Sequence, residues 1–303
     1  MDIYVRPGDS FWYYSQLFRI PLQLIIDSNR NINPQTIQQG QRIQIPAYVA
    51  QNYQIKSGDS LWSIAMSRNL PLDTLFLINP TLNPNRLQIG QTIQVPLRIT
   101  WRLVNGKQNY TYEVMMNDIQ RLQTVYPFLQ VSSIGNSVLN RSIPEILIGI
   151  GDKRVAYNGS FHANEWITTP TIMTFLNDYA LSLTNQTTIR GLITSPLYEQ
   201  TSLSIVPMVN PDGVNLVLNG PPELEPYRSN VIQWNNNSLD FSGWKANING
   251  VDLNDQFPAQ WEKERDRNPQ TPGPRDYGGE SPLSQPESIA MADLTRRRDF
   301  ARV

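Results

Sequence analysis

Val155-Ala-Tyr-Asn-Gly-Ser-Phe-His162-Ala-Asn-Glu165-Trp166 joins a strand to a helix. Before it lie two β-rich apolar runs, Glu145-Ile-Leu-Ile-Gly-Ile-Gly151 and Arg154-Val-Ala-Tyr157. After it, Trp166 to Leu183 carries apolar residues at helical spacing, with Pro170 in the first turn. A strand that ends in a small-residue turn and feeds a helix predicts an α/β domain. The turn also displays chemistry. His162 is the only histidine in 303 residues, and it stands three residues before Glu165. Imidazole nitrogen and carboxylate oxygen are both good zinc ligands, and on the first turn after a strand both can face one point. A His-x-x-Glu pair alone also describes ordinary surface helices, so its meaning depends on its neighbours.

Composition narrows the classes. A net charge of −1, with no basic cluster except Arg296-Arg-Arg298, argues against a nucleic-acid protein. That triplet reads as a solvated helix face. There is no cysteine, so disulfide staples are excluded. No run is apolar enough to span a membrane. The N-terminus, Met1-Asp2-Ile-Tyr-Val-Arg-Pro-Gly8, lacks the basic and apolar regions of a signal peptide. The expectation is a protein of the cytoplasm, mother cell or spore, associated with the cell wall.

The first 97 residues repeat themselves at a fixed offset. Gly8-Asp9-Ser10-Phe-Trp12 returns as Gly58-Asp59-Ser60-Leu-Trp62, Pro21-Leu22 as Pro71-Leu72, Asn29 as Asn79, and Asn33-Pro34 as Asn83-Pro84. Gly40-Gln41-x-Ile43-Gln44-x-Pro46 returns as Gly90-Gln91-x-Ile93-Gln94-x-Pro96. A constant period means two copies of one structural unit. Each copy reads β-α-α-β. Ile3–Val5 and Tyr53–Ile55 open it, Gly-Asp-Ser turns into a capped helix, and Pro21 or Pro71 starts a second. Gln41–Ile45 and Gln91–Val95 close it. Ala47 to Asn52 reads as the linker.

These repeats resemble a tandem pair of LysM domains, 1–47 and 52–97, the module that binds N-acetylglucosamine-containing glycans. The resemblance implies sugar binding at Gly8, Asp9, Ser10, Asn29 and Asn33, and at Gly58, Asp59, Ser60, Asn79 and Asn83. The same residues also serve to cap helices and shape turns, and the Gly, Pro and Trp positions are read in that structural way. Two weak sites on one tether gain avidity without new contacts.

From about Arg98 the composition changes, and strands alternate with helices. Three further stretches accompany the His162 turn: Asn210-Pro-Asp-Gly213, Trp244-Lys245-Ala-Asn247 and Gly250-Val-Asp252-Leu-Asn254. With Tyr277-Gly-Gly-Glu-Ser-Pro-Leu-Ser-Gln-Pro-Glu287, they resemble the zinc carboxypeptidase family over 105–303. The nearest branch is similar to the bacterial γ-D-glutamyl-L-diamino-acid endopeptidases. The implied fold is an α/β domain with a mixed central sheet behind the two LysM domains. The implied cofactor is one Zn²⁺, and the implied partners are peptidoglycan glycan strands and stem peptides. His162 and Glu165 would be zinc ligands. Asp252 would accept a hydrogen bond from the imidazole, although an Asp at a strand end also shapes turns. Lys245 stands where the family has Arg beside the Trp, either to stabilise an oxyanion or as a surface lysine.

Substrate recognition departs from the family. Asn254-Asp255 replaces an Asn-Arg pair that holds a terminal carboxylate, and Asn164 replaces a second Arg. Asp255 inverts the charge and suits an ammonium, such as the free amine of diaminopimelate. A larger departure concerns the metal. The family draws a third ligand from a downstream histidine and a general base from a later glutamate, and no histidine follows His162. The resemblance places both beyond Val303, so the domain is expected to be incomplete at its C-terminus. The chain is read as part of a peptidase that cleaves the γ-D-glutamyl–meso-diaminopimelate bond, or as a non-catalytic glycan-binding protein.

Overall fold

The computed structural model describes all of residues 1–303. The chain forms two compact units. One holds Met1–Arg102, Gln120–Leu129 and Asp178–Thr194; the other holds Leu103–Ile119, Gln130–Asn177 and Ser195–Val303.

In the first unit each repeat is a β-α-α-β module. The first comprises β1 (Asp2–Tyr4), α1 (Phe11–Phe18), α2 (Leu22–Asp27) and β2 (Arg42–Gln44). The second comprises β3 (Tyr48–Gln54), α3 (Leu61–Met66), α4 (Leu72–Ile78) and β4 (Thr92–Arg98). Both pair their strands antiparallel in one register, Ile3 opposite Ile43 and Tyr53 opposite Ile93. Gly8 and Gly58 both sit at φ 83°, the left-handed conformation glycine adopts without strain. The serine after each turn caps its helix: Ser10 Oγ accepts from Tyr13 N, and Ser60 Oγ from Ser63 N.

The stretch Ala47–Asn52 is not a free linker. Residues 48–54 are β3, paired along its whole length with β4. The reason is that β4 runs on to Arg98, which supplies the partner groups. The strand end is also tied down: Ala47 N donates to Val125 O at 2.7 Å, and Arg98 Nε to Asn185 Oδ1 at 3.0 Å. The two modules are locked together as well. Arg6 of the first donates to Asp73 of the second, at 2.9 Å from Nη1, and Tyr13 OH donates to the same carboxylate. Lys56, Ser63 and Gln23 occupy the equivalent places in the other copy, so the repeat is broken where the lock is made.

The rest of the chain gives α5 (Tyr112–Val125), β5 (Gln130–Asn136), β6 (Ser142–Ile148), β7 (Lys153–Asn158) and α6 (Thr168–Asn185). A small hairpin, β8 (Thr188–Ile189) with β9 (Leu192–Ile193), leads to α7 (Ser195–Gln200), β10 (Thr201–Val206), α8 (Pro211–Asn219), α9 (Tyr227–Trp234), α10 (Trp261–Arg265) and α11 (Pro286–Arg298). The second unit is built on a four-stranded sheet in the order β5-β6-β10-β7. β10 is antiparallel to β6 and parallel to β7, so the sheet is mixed, as the alternation of elements predicted. A parallel neighbour requires a crossover, and α6 supplies it. Ile143, Val206, Val209, Leu253, Met291 and Leu294 form one apolar core of this unit.

The Arg296–Arg298 triplet does not all face solvent. Arg296 pairs with exposed Asp293, but Arg298 turns inward to the buried carboxylate of Glu145, with Nη2 2.9 Å from Oε2. A carboxylate without water on strand β6 needs a cation, and the last turn of α11 brings one to it. No helix is long and apolar enough to cross a membrane.

Candidate metal centre

Two parallel strands, β7 and β10, end side by side, and carboxyl ends of parallel strands are where open α/β sheets gather their ligands. β7 runs into Ser160, held at φ 51°, and a 3-10 turn over Ala163–Glu165. Thr168 Oγ1 takes the Ser160 amide at 2.8 Å and donates to Glu165 O at 2.8 Å, which closes the turn. Asn210, just after β10, caps α8 through Gly213 N and donates Nδ2 to Phe161 O (3.3 Å) and Ala246 O (3.1 Å). Asn210 is fully buried. A Cβ at Gly213 would lie 2.8 Å from Ala163 Cβ, so a glycine there lets α8 pack against the turn. The Asn-Pro-Asp-Gly turn signal gave this position; its second duty, holding the His162 turn, needed the fold.

The turn presents His162 to two carboxylates. Nδ1 lies 3.0 Å from Glu165 Oε1, and Nε2 lies 3.2 Å from Asp252 Oδ1. Asp252 is buried, whereas the Glu165 side chain is half exposed. Asp252 also accepts from Asn254 N and, through Oδ2, from Asp276 N, each at 3.2 Å. Burial pushes its carboxyl up, but the imidazole and these amides outweigh that and hold it below the usual range. The hydrogen bond to Asp252 raises His162 to about 9 against the effect of burial, and Glu165 adds to the rise. The site is therefore electrostatically prepared for positive charge.

The donors suit zinc in type and placement. Asp252 holds Nε2 and leaves Nδ1 facing Glu165, at close to the ~3.3 Å that two ligand atoms of one tetrahedral zinc keep. No group of three His, Cys, Asp or Glu side chains that could hold a metal forms in the chain, so these are two donors and not three. Replacing Asp252 with Ala frees the ring to rotate. Zinc affinity, measured by competition with a chromogenic chelator, is expected to fall about 10- to 100-fold. Unchanged affinity would mean that Asp252 does not orient the ligand.

Other site residues surround this centre. Lys245 is half-buried, and its carbonyl accepts Ala163 N at 2.9 Å, which fixes its loop beside the turn. No hydrogen bond or ion pair holds its ammonium. The preceding Trp244 is core, 1% exposed, with Nε1 on Ala246 O. Asn254 is exposed. Asp255 is half-buried, accepts from Asn268 Nδ2 at 3.2 Å, and is raised by burial and by Asp252, Asp276 and Glu264. Asn164 buries Oδ1 with no hydrogen-bond partner.

Glu287 sits behind the Lys245 loop and was not singled out from the sequence as a site residue. Its buried carboxylate accepts Val138 N at 3.1 Å and Asn247 Nδ2 at 3.3 Å. Burial, with help from Asp212, raises it to about 7. A carboxyl raised on folding gives stability that is full below its unfolded value of 4.5 and lost as pH climbs through about 7. Glu287→Gln is thus expected to gain on the wild type between pH 5 and pH 8, by about 2–3 kcal/mol in urea titrations. A constant difference across that range would refute the assignment.

In the repeats, the candidate sugar-binding side chains are engaged in their own loops. Asp9 accepts Arg6 Nε at 3.0 Å, and Asp59 accepts Lys56 N at 2.7 Å. Asn29 exchanges two bonds with the Gln44 backbone, and Asn79 does the same with Gln94. Asn33 and Asn83 accept the amide two residues on.

Comparison with known proteins gives these parts relatives. A family described as zinc carboxypeptidase matches residues 115–302, and the LysM domain matches 3–46 and 53–96. Gamma-D-glutamyl-L-diamino acid endopeptidase 1 of Lysinibacillus sphaericus is 77% identical over 301 residues, which is 99% of this chain and 76% of that protein. The uncharacterized protein YqgT of Bacillus subtilis (strain 168) is 43% identical over 65% of this chain and 53% of its own length. Carboxypeptidase A from Helicoverpa armigera is similar in structure, with a TM-score of 0.47 and 22% identity over 64% of this chain and 44% of that one. The chain thus spans about three-quarters of the first relative and about half of the other two.

Proposed function

We propose, for a chain that belongs to the zinc carboxypeptidase family and carries two LysM domains, a role as a peptidoglycan-bound metallopeptidase. Its bond would be γ-D-glutamyl–meso-diaminopimelate in the stem peptides of wall or spore cortex. The observation that carries this reading is the His162–Glu165–Asp252 arrangement with the acidic residue Asp255 nearby. The name of the Lysinibacillus relative supports the bond.

His162 Nδ1 and Glu165 would hold the zinc, with Asp252 fixing the imidazole from behind. When bound, zinc polarises a carbonyl and makes a water acidic enough to attack near neutral pH. Lys245 offers an unpaired cation to the oxygen that gains charge as the carbonyl is attacked. It does so as a point charge, without the two-pronged geometry of arginine. Asp255 would receive the side-chain ammonium of diaminopimelate, and the buried, unpartnered Oδ1 of Asn164 a substrate N–H. The LysM pair would keep the peptidase on its polymer.

A second reading is favoured by the two-donor count. A catalytic zinc takes three protein ligands and an open position, and only two are assembled here. The alternative is a glycan-binding protein whose peptidase-like domain is inert. Incubating the zinc-supplemented protein with a diaminopimelate muropeptide, and weighing the products by mass spectrometry, decides between them. Cleavage on the γ-D-glutamyl side of diaminopimelate would support the peptidase reading. Release of only the C-terminal residue would sink the proposed specificity. Intact muropeptide with bound glycan would favour the inert reading.

A further inference from the structure

Trp12 and Trp62 fit none of the structural duties that account for their neighbours. Along the first helix of each repeat, Phe11–Phe18 against residues 61–68, this is the one position occupied by the same residue in both copies. Two buried positions keep only their apolar class, Phe11 against Leu61 and Tyr14 against Ile64, and buried Leu17 and Phe18 give way to exposed Ser67 and Arg68. The facing lock even requires different residues, Tyr13 against Ser63. Other identities between the copies lie in turns, caps and backbone ties, or in the core, as at Ile43 and Ile93. The tryptophans do not. They are 64% and 62% exposed, and no hydrogen bond or ring contact holds either indole. The sequence reading gave them a structural part; their exposure removes it.

A single exposed apolar side chain needs no explanation. The largest one, kept at the same exposed place in two copies that have diverged around it, does. Each indole lies two residues after the Ser that ends the Gly-Asp-Ser turn, in the first turn of the helix that this Ser caps. Indole combines a broad apolar face with one N–H donor. The matching surface is the C–H face of a pyranose ring, flat, apolar and edged with hydroxyl and acetamido groups. A polymer of such rings offers the same face again and again, which is what two equivalent platforms can use. The lock through Arg6 and Asp73 fixes the two modules, and hence the two indoles, relative to each other.

We infer that Trp12 and Trp62 are paired stacking platforms for N-acetylhexosamine rings of one glycan strand. This rests on the glycan-binding part of the proposed function and adds the residues that grip the sugar face. Two rigidly spaced contacts on one strand reinforce each other, so the double loss exceeds either single loss.

The test sediments the full chain with purified peptidoglycan and, separately, titrates it with N-acetylglucosamine tetramer. Trp12→Ala and Trp62→Ala should each weaken retention about tenfold, and the double variant should stay in the supernatant. Trp12→Phe with Trp62→Phe should keep most of the binding, since the ring face remains. The tetramer should blue-shift the emission of the wild type but not of the double Ala variant, with far-UV circular dichroism and the melting point unchanged. A double Ala variant that pellets like wild type overturns the inference and leaves glycan binding standing. A wild type that does not pellet removes both. If the wild type self-associates without glycan and the double variant does not, the platforms serve a second copy of the chain, and the inference is again wrong.

Discussion

Arg298→Ala is expected to lower the stability of the protein by about 3–5 kcal/mol, the range for stripping one partner from a buried ion pair. Glu145 has no exposed side-chain surface, and its two oxygens take Arg298 Nε at 3.1 Å and Nη2 at 2.9 Å. Ser204 Oγ adds a hydrogen bond at 2.7 Å but no charge. Arg298 is one-third exposed, so removing it returns little polar surface to water, while the carboxylate stays on β6 with nothing to balance it. The bond also ties the last turn of α11 to the middle of the sheet. Urea unfolding of Arg298→Ala and of the double variant Glu145→Gln with Arg298→Ala separates the causes. The double variant should recover most of the loss, because a neutral amide tolerates the site better than an unpaired charge. A single-variant loss under about 1 kcal/mol would place this pair with ordinary surface salt bridges.

Asp255→Arg is expected to reverse the preference of the candidate site, weakening a diaminopimelate muropeptide by about 100-fold or more. The size follows from exchanging an attractive charge for a repulsive one in a half-buried place. Asp255 already stands among Asp252, Asp276 and Glu264, and burial raises it further. Only the Asn268 amide bonds it. An arginine there would oppose the ammonium of the substrate and offer a two-pronged contact to a free C-terminal carboxylate. Isothermal titration of wild type and variant with the muropeptide, and with an N-blocked dipeptide ending in a hydrophobic residue, reads both arms. If the wild type binds the blocked dipeptide better, or the substitution leaves the order unchanged, Asp255 does not select the substrate.

Much of the fold was legible because its signals are local. The two LysM modules declare themselves through a glycine needing left-handed φ, a serine cap three residues from its partner amide, and a proline at each second helix. The strand, turn and helix around His162 are equally local, since alternation and helical spacing report burial within a few residues. The reading failed where one residue had two neighbours to choose between. Ala47–Asn52 looked like a linker because nothing in those residues shows that β4 will run to Arg98 and pair with them. Arg298 looked solvated because its helix face is basic, and its partner lies 153 positions away.

The amino-acid sequence by itself determined the double module, the α/β class and the presence of one histidine–carboxylate turn. Each follows from backbone preference and short-range pattern, which act before distant parts meet. The family resemblance named Asp252 as the partner of the imidazole; only the tertiary structure showed it buried, at Nε2 and 90 residues from His162, and showed Asn210 clamping the same turn. It alone locked Arg6 to Asp73 and left Trp12 and Trp62 bare. These are choices of partner across the core. They are fixed by which faces pack and which buried charges must be neutralised, and no spacing along the chain encodes them.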